Sequence, residues 1–156
     1  MSTMNILLLM LRAKRPSRLN DMKAIVKPRW IKKGYDGLTF FGHIITPTEQ
    51  DAEAFGRFGS MKNHEMIHLY QARSTQNSWL CFYLRYGWYW LLACRYRKHL
   101  RNAGYLLNPF EMEAYAKMYD LHYLDDKESG TNEWRRYAKM SLDERLQAYL
   151  ARKRSA

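Results

Sequence analysis

Cysteine is nearly absent from this chain of 156 residues, which carries only Cys81 and Cys94. Two thiols exclude a disulfide framework, and they are too few and too far apart for an all-cysteine zinc site. Long apolar runs are missing too. No stretch reaches the ~18 residues expected of a membrane-crossing helix, so a cytoplasmic location is expected, with attachment to a membrane surface as the alternative. The apolar segment Met4 to Leu11 has no basic segment ahead of it and no small-residue cleavage site behind it. It therefore reads as a short buried strand or helix start rather than a cleaved signal. Internal repeats and low-complexity tracts are also lacking. Acidic residues are scarce, 15 against 26 Lys and Arg for a formal net charge of +11, and none occurs between Glu65 and Glu111.

Apolar residues make up 47% of the chain, and this content excludes intrinsic disorder. The length suits one domain, residues 1–156, with a core of its own. Basic residues cluster from Arg12 to Lys33 and again at Arg73, Arg85, Arg95, Arg97, Lys98 and Arg101. Such a field attracts nucleic acid, anionic lipid or acidic substrates, and it equally describes a solvated, solubility-keeping surface.

Residues 23–27 and 38–46 are short, β-branched or aromatic, and bounded by Pro or Gly, so they read as strands. Residues 47–59 read as an irregular loop with one helical turn near Glu49 to Ala54. From Ser60 onward Met61, His64, Ile67, His68 and Gln71 recur at helical spacing. A second helix is expected from about Ser78 to Leu100. Its stretch Trp79 to Cys94 is apolar on every side except Arg85, which signals burial in a core or contact with a membrane surface. We favour the core. A third helix opens at Asn108-Pro109 and runs through Tyr123. Asp125 to Asn132 is a loop, followed by a short helix from Glu133. The last helix starts at Ser141, with Ser141 and Glu144 as a capping box. The fold class expected is α+β, mainly α, with a small N-terminal sheet.

Residues 64 to 68 read His-Glu-Met-Ile-His. Two imidazoles four apart on a helix point the same way and can share one Zn²⁺ ion. Glu65 flanks that line, placed to take a proton from a metal-activated water. The apolar neighbours Met66, Ile67, Leu69 and Tyr70 make this a buried helix, where two unligated histidines would be costly. Zinc needs a third protein ligand. A glycine and a third histidine downstream would supply one in the extended pattern, but Gln71 and Ser74 stand there. His43, His99 and His122 lie in no motif. Glu111 and Glu113, about 200° apart around the third helix, are the carboxylate alternatives. Glu111 shares its face with Ala114, Tyr115 and Met118 and is favoured.

The pair Asn63-His64-Glu65-Met66-Ile67-His68 with Gln71, and Asn108-Pro109-Phe110-Glu111-Met112-Glu113-Ala114-Tyr115, resembles the gluzincin-type zinc metallopeptidases. It is closest to small bacterial and phage HExxH proteins, over about Leu38 to Tyr123. The resemblance implies a minimal zincin-like fold, a bound Zn²⁺, and hydrolysis of a peptide or protein substrate with Glu65 as general base. It maps the third ligand onto Glu111, giving His64, His68 and Glu111 as the metal set. Tyr115 replaces the aspartate that in such proteins orients a ligating histidine. A strand ahead of the His helix, matching residues 38–46, would form one lip of the cleft and pair with extended substrate. Gln71 or Asn63 would hold the non-ligating nitrogen of a zinc histidine. A Tyr, His or Arg would stabilise the transition state, and the twelve tyrosines leave that choice open. The alternative from another class is a basic module binding nucleic acid or anionic membrane through Arg12 to Lys33 and the Trp/Tyr-rich helix, with a structural or vestigial zinc site.

Overall fold

The computed structural model describes residues 24–31, 37–40, 43–57 and 59–155. The segment Met4 to Leu11 and most of the basic run from Arg12 to Lys33 lie outside them. Among the described residues the chain is mainly helical with a three-stranded sheet. Its strands are β1 (Ala24–Val26), β2 (Leu38–Phe40) and β3 (His43–Thr46), in the order β1-β3-β2. β1 runs parallel to β3, with Ala24 opposite Ile44. β2 runs antiparallel to β3, with Phe40 opposite His43. The single strand expected over 38–46 is thus two strands, and β2 is an edge of the sheet.

The helices are α1 (Glu49–Gly56), α2 (Ser60–Ser74), α3 (Trp79–Ala93), α4 (Ala103–Leu106), α5 (Pro109–Lys117), α6 (Trp134–Lys139) and α7 (Leu142–Ser155). In place of the expected loop at 47–59, α1 completes two turns. The Thr48 hydroxyl caps it by accepting from the Asp51 amide at 3.1 Å. Ser78 caps α3 in the same way. α3 stops at Ala93, short of Leu100, and a 3₁₀ turn, Cys94–Tyr96, leads toward α4, which sequence reading did not anticipate. Gly104 belongs in α4 because a Cβ there would come within 2.8 Å of Cys94 Sγ and the Trp90 indole nitrogen. The capping box of α7 forms: the Glu144 carboxylate accepts from the Ser141 amide at 2.7 Å, and the Ser141 hydroxyl accepts from the Glu144 amide at 3.2 Å.

α2 is the axis of the fold, touching β2, α1, α3 and α5. Every residue from Lys62 to Leu69 is buried. The main core joins Met66, Ile67, Leu69 and Ala72 of α2 to Trp79 and Phe82 of α3, Phe110 and Ala114 of α5, Tyr123, Leu124 and Trp134. Phe110 is its hub, with ring centroids of Phe82 at 5.0 Å and Trp134 at 4.5 Å. Burying such side chains contributes roughly 2–3 kcal/mol each. A second cluster gathers Ala93, Ala103 and Leu107 under Leu142, Leu146 and Tyr149 of α7. Arg145 is buried at that seam and donates to the carbonyls of Tyr137 (2.9 Å) and Ala138 (3.1 Å), which tie α7 to the end of α6.

α5 ends at Lys117 rather than Tyr123, for a tertiary reason. Asn63 of α2 donates its side-chain amide to the carbonyls of Lys117, Met118 and Asp120 at 2.9–3.2 Å. Carbonyls that would otherwise continue the helical ladder are thereby satisfied from a neighbouring helix.

α3 corrects the expectation of burial on every side. Trp79, Phe82 and Ala93 face the core, but Leu84 is 65% exposed, Trp88 60% and Leu91 60%. A helix apolar except for Arg85 therefore lies at the periphery of the described structure. No helix among the described residues is long and apolar enough to cross a membrane.

Candidate metal centre

The two histidines of α2 and the first turn of α5 meet in the interior. His64, His68 and Glu111 are 3%, 6% and 3% exposed, and one donor atom of each lies within 4.8 Å of the others. His64 Nε2 is 3.3 Å from His68 Nε2 and 3.3 Å from Glu111 Oε2, while His68 Nε2 is 3.4 Å from Glu111 Oε1. Four donors at ~2.0–2.1 Å around one zinc ion stand about 3.3 Å apart along each tetrahedral edge. The three separations each match that edge length, although the two histidines face different oxygens of the Glu111 carboxylate. The group can hold a metal ion.

Local sequence explains how each of the three side chains is aimed. Helical periodicity puts His64 and His68 on one stripe, with their rings at 85° and centroids 4.9 Å apart. Asn108 and Pro109 start α5: the Asn108 side-chain oxygen accepts from the Phe110 amide at 3.2 Å, and proline occupies a position that needs no amide donor. Glu111 then falls in the first turn, where the positive end of the helix favours a carboxylate. Asn108 also donates to the Tyr86 carbonyl at 3.1 Å, fixing α5 against α3.

A chain of hydrogen bonds orients His68. Gln71 Nε2 faces two acceptors, the Phe110 carbonyl at 2.9 Å and Glu113 Oε2 at 2.8 Å. Its oxygen must then face His68 Nδ1, 2.8 Å away, so that nitrogen carries the proton and donates. His68 Nε2 is left pointing at His64 and Glu111. Of the two candidates for this task, Gln71 performs it and Asn63 instead holds the end of α5. Glu113, the alternative third ligand, is committed elsewhere. Its carboxylate accepts from Gln71, from the Tyr123 hydroxyl at 2.7 Å and from the Trp134 amide at 3.0 Å.

His64 is held differently. Its Nδ1 is buried without a hydrogen-bond partner, and the Tyr115 ring packs edge-on at a centroid distance of 4.5 Å. Tyr115 gives His64 a wall, and its hydroxyl lies 3.1 Å from that of Tyr105. Glu111 Oε2 is buried and makes no well-aligned hydrogen bond despite its 3.3 Å approach to His64. A buried carboxylate oxygen and the His64 Nε2 converge on the same focus as His68 Nε2, an arrangement that fits a shared cation.

Sequence reading gave Tyr86 no role beside the His helix, only a place in an Arg/Tyr run suited to nucleic acid or lipid. Its hydroxyl donates to Glu111 Oε1 at 2.8 Å from α3. Burial, and then the Glu111 charge, push the phenol well above its ordinary value, so it keeps the proton it donates. The only signal was its place on the inward face of α3, four residues after Phe82. Glu65 is buried beside the cluster, and its charge acts on His68, Tyr86 and Tyr115. His43, His99 and His122 are exposed and do not join.

Without a metal the cluster is an ion pair. Burial alone would lower the His68 pKa, but the charge and hydrogen bond of Glu111, the Glu65 charge and the Gln71 bond together raise it to about 9. Burial would raise Glu111, yet the two histidines outweigh it and hold the carboxyl well below the usual carboxylate range. A metal ion would replace the His68 proton at the same focus. Compared with protein-family models, curated proteins and solved structures, the chain matches none.

Proposed function

We propose that this protein is a zinc-dependent peptidase of the gluzincin type, with His64, His68 and Glu111 as metal ligands and Glu65 as general base. The observation that carries this reading is the convergence of the two imidazoles and the Glu111 carboxylate, each ring 3.3–3.4 Å from one of its oxygens and 3.3 Å from the other ring, with a second buried carboxylate adjoining it. Two imidazoles and a carboxylate suit zinc, and three protein ligands leave a position open, as hydrolytic zinc sites require. Bound there, zinc supplies a Lewis acid that lowers the pKa of water and polarises a carbonyl.

The chain's own residues do the rest. Glu65 accepts the water proton and returns it to the departing amine. Gln71 and Glu113 keep the His68 ring in place, and Tyr86 steadies Glu111. Among the described residues β2 is an edge strand that packs against α2, and an extended peptide would pair along that edge.

The test combines elemental analysis with two variants. Purified protein is expected to hold about one zinc per chain and to cleave unstructured polypeptide. Glu65→Gln keeps the metal and loses at least a hundred-fold in rate, as removal of a positioned proton acceptor does. His64→Ala loses the metal. Protein that binds no zinc under non-chelating conditions, or that carries iron instead, overturns the proposal.

A further inference from the structure

We propose that the outer face of α3 docks this protein on an anionic lipid surface. At about 100° per residue, Leu80, Leu84, Trp88 and Leu91 fall within one arc of roughly 80°, and the stripe runs about 17 Å along the helix. All four are exposed: 39%, 65%, 60% and 60%. Single exposed apolar residues are ordinary, but a continuous stripe of large ones marks a surface that something covers. The opposite face carries Phe82 and Tyr86, the residues that reach the core and Glu111. The docking face is therefore separate from the metal ligands, and the inference stands independently of the peptidase reading.

Charge selects the occupant. No acidic residue occurs from Met66 to Phe110. Arg95, Arg97, Lys98 and Arg101 are exposed just beyond the C-terminal end of the stripe. Two copies of the chain meeting here would add no acidic partner for these cations, since the face and its surroundings carry none from Met66 to Phe110. A bilayer with anionic headgroups supplies both an apolar layer for Leu84 and Leu91 and negative charge for the cations, and tryptophan settles at headgroup depth. At 15 residues, about 22 Å, α3 is too short to span the hydrocarbon and would lie in the interface.

The test uses the full chain and vesicles of phosphatidylcholine, with or without 30% phosphatidylglycerol by design, followed by cosedimentation. Wild type is expected to partition at least ten-fold more strongly onto the anionic vesicles, with tryptophan emission quenched by brominated lipid. Leu84→Asp with Trp88→Asp lowers that partition at least ten-fold, while far-UV circular dichroism and metal content stay unchanged. Lys98→Glu with Arg101→Glu weakens it by roughly five-fold per reversed cation in low salt. Equal binding by wild type and the Leu84/Trp88 variant overturns the proposal. So does absence of vesicle binding, the outcome if Met4 to Leu11 covers the stripe or if the basic residues serve nucleic acid. A lipid-independent dimer that the same variant dissolves also overturns it, in favour of contact between copies.

Discussion

Replacing Gln71 by methionine removes an amide that no other side chain of similar size can imitate, because it accepts from one neighbour and donates to two. His68 Nδ1 loses its acceptor at 2.8 Å, the Phe110 carbonyl its donor at 2.9 Å, and Glu113 Oε2 a donor at 2.8 Å. Glu113 keeps Tyr123 and Trp134, so the lasting damage falls on His68 and Phe110. At roughly 1–3 kcal/mol for each buried group left unsatisfied, a loss of about 3–5 kcal/mol in unfolding free energy is expected. Zinc affinity should fall about 10–100-fold, the usual cost of freeing a ligating histidine from its outer partner.

Gln71→Glu separates the two roles of the amide. It keeps an acceptor for His68 but sets a carboxylate oxygen against Glu113 Oε2, where the two acids must share a proton. This variant should hold zinc more tightly than the methionine variant and lose stability as pH rises and that proton departs. Competition with a chromophoric chelator reads affinity, and denaturant titration reads stability. A folded Gln71→Met protein with wild-type zinc affinity would refute the argument that this hydrogen-bond chain aims His68.

Tyr86→Phe removes the 2.8 Å hydrogen bond to Glu111 and is expected to weaken zinc binding about ten-fold in the same chelator competition, with little change of fold. In metal-free protein the His68 pKa is raised from 6.5 to about 9, so its stabilising contribution is whole below about 6.5 and is lost as pH climbs through 9. Glu111, held low, contributes above its ordinary range and loses that contribution as pH falls through its depressed value. Denaturation midpoints of metal-free protein should therefore decline from pH 6.5 to 9, whereas zinc affinity should rise over the same interval because a proton must leave for the metal to enter. Gly130 has φ +101°, and a Cβ there would stand 2.4 Å from the Tyr70 carbonyl oxygen. Gly130→Ala should accordingly destabilise by at least ~2 kcal/mol in denaturant titration.

The elements that bring His64, His68 and Glu111 together were legible because short-range rules govern them. The spacing of His64 and His68, Asn108-Pro109 as a helix start, and the 200° between Glu111 and Glu113 are local matters. Sequence could say that the two glutamates diverge, yet not that Glu113 would be engaged by Gln71, Tyr123 and Trp134, which come from three separate segments. The end of α5 was misread for the same reason, since the amide of Asn63 that takes its carbonyls lies more than fifty residues upstream. Hydropathy failed on α3. It records that every side of a helix is apolar and is silent on how many of those sides find a neighbour. The strand over 38–46 looked continuous because the alternation of its residues does not register a reversal of direction.

Because Glu111 reaches the histidines from a helix far along the chain, a bound cation would act as a clasp between α2 and α5. Ligation that exists only in the folded chain adds its binding free energy to folding, about 4 kcal/mol when free metal stands a thousand-fold above its dissociation constant. Availability of the ion would then govern how long the protein survives, so starvation for metal would deplete the chain itself.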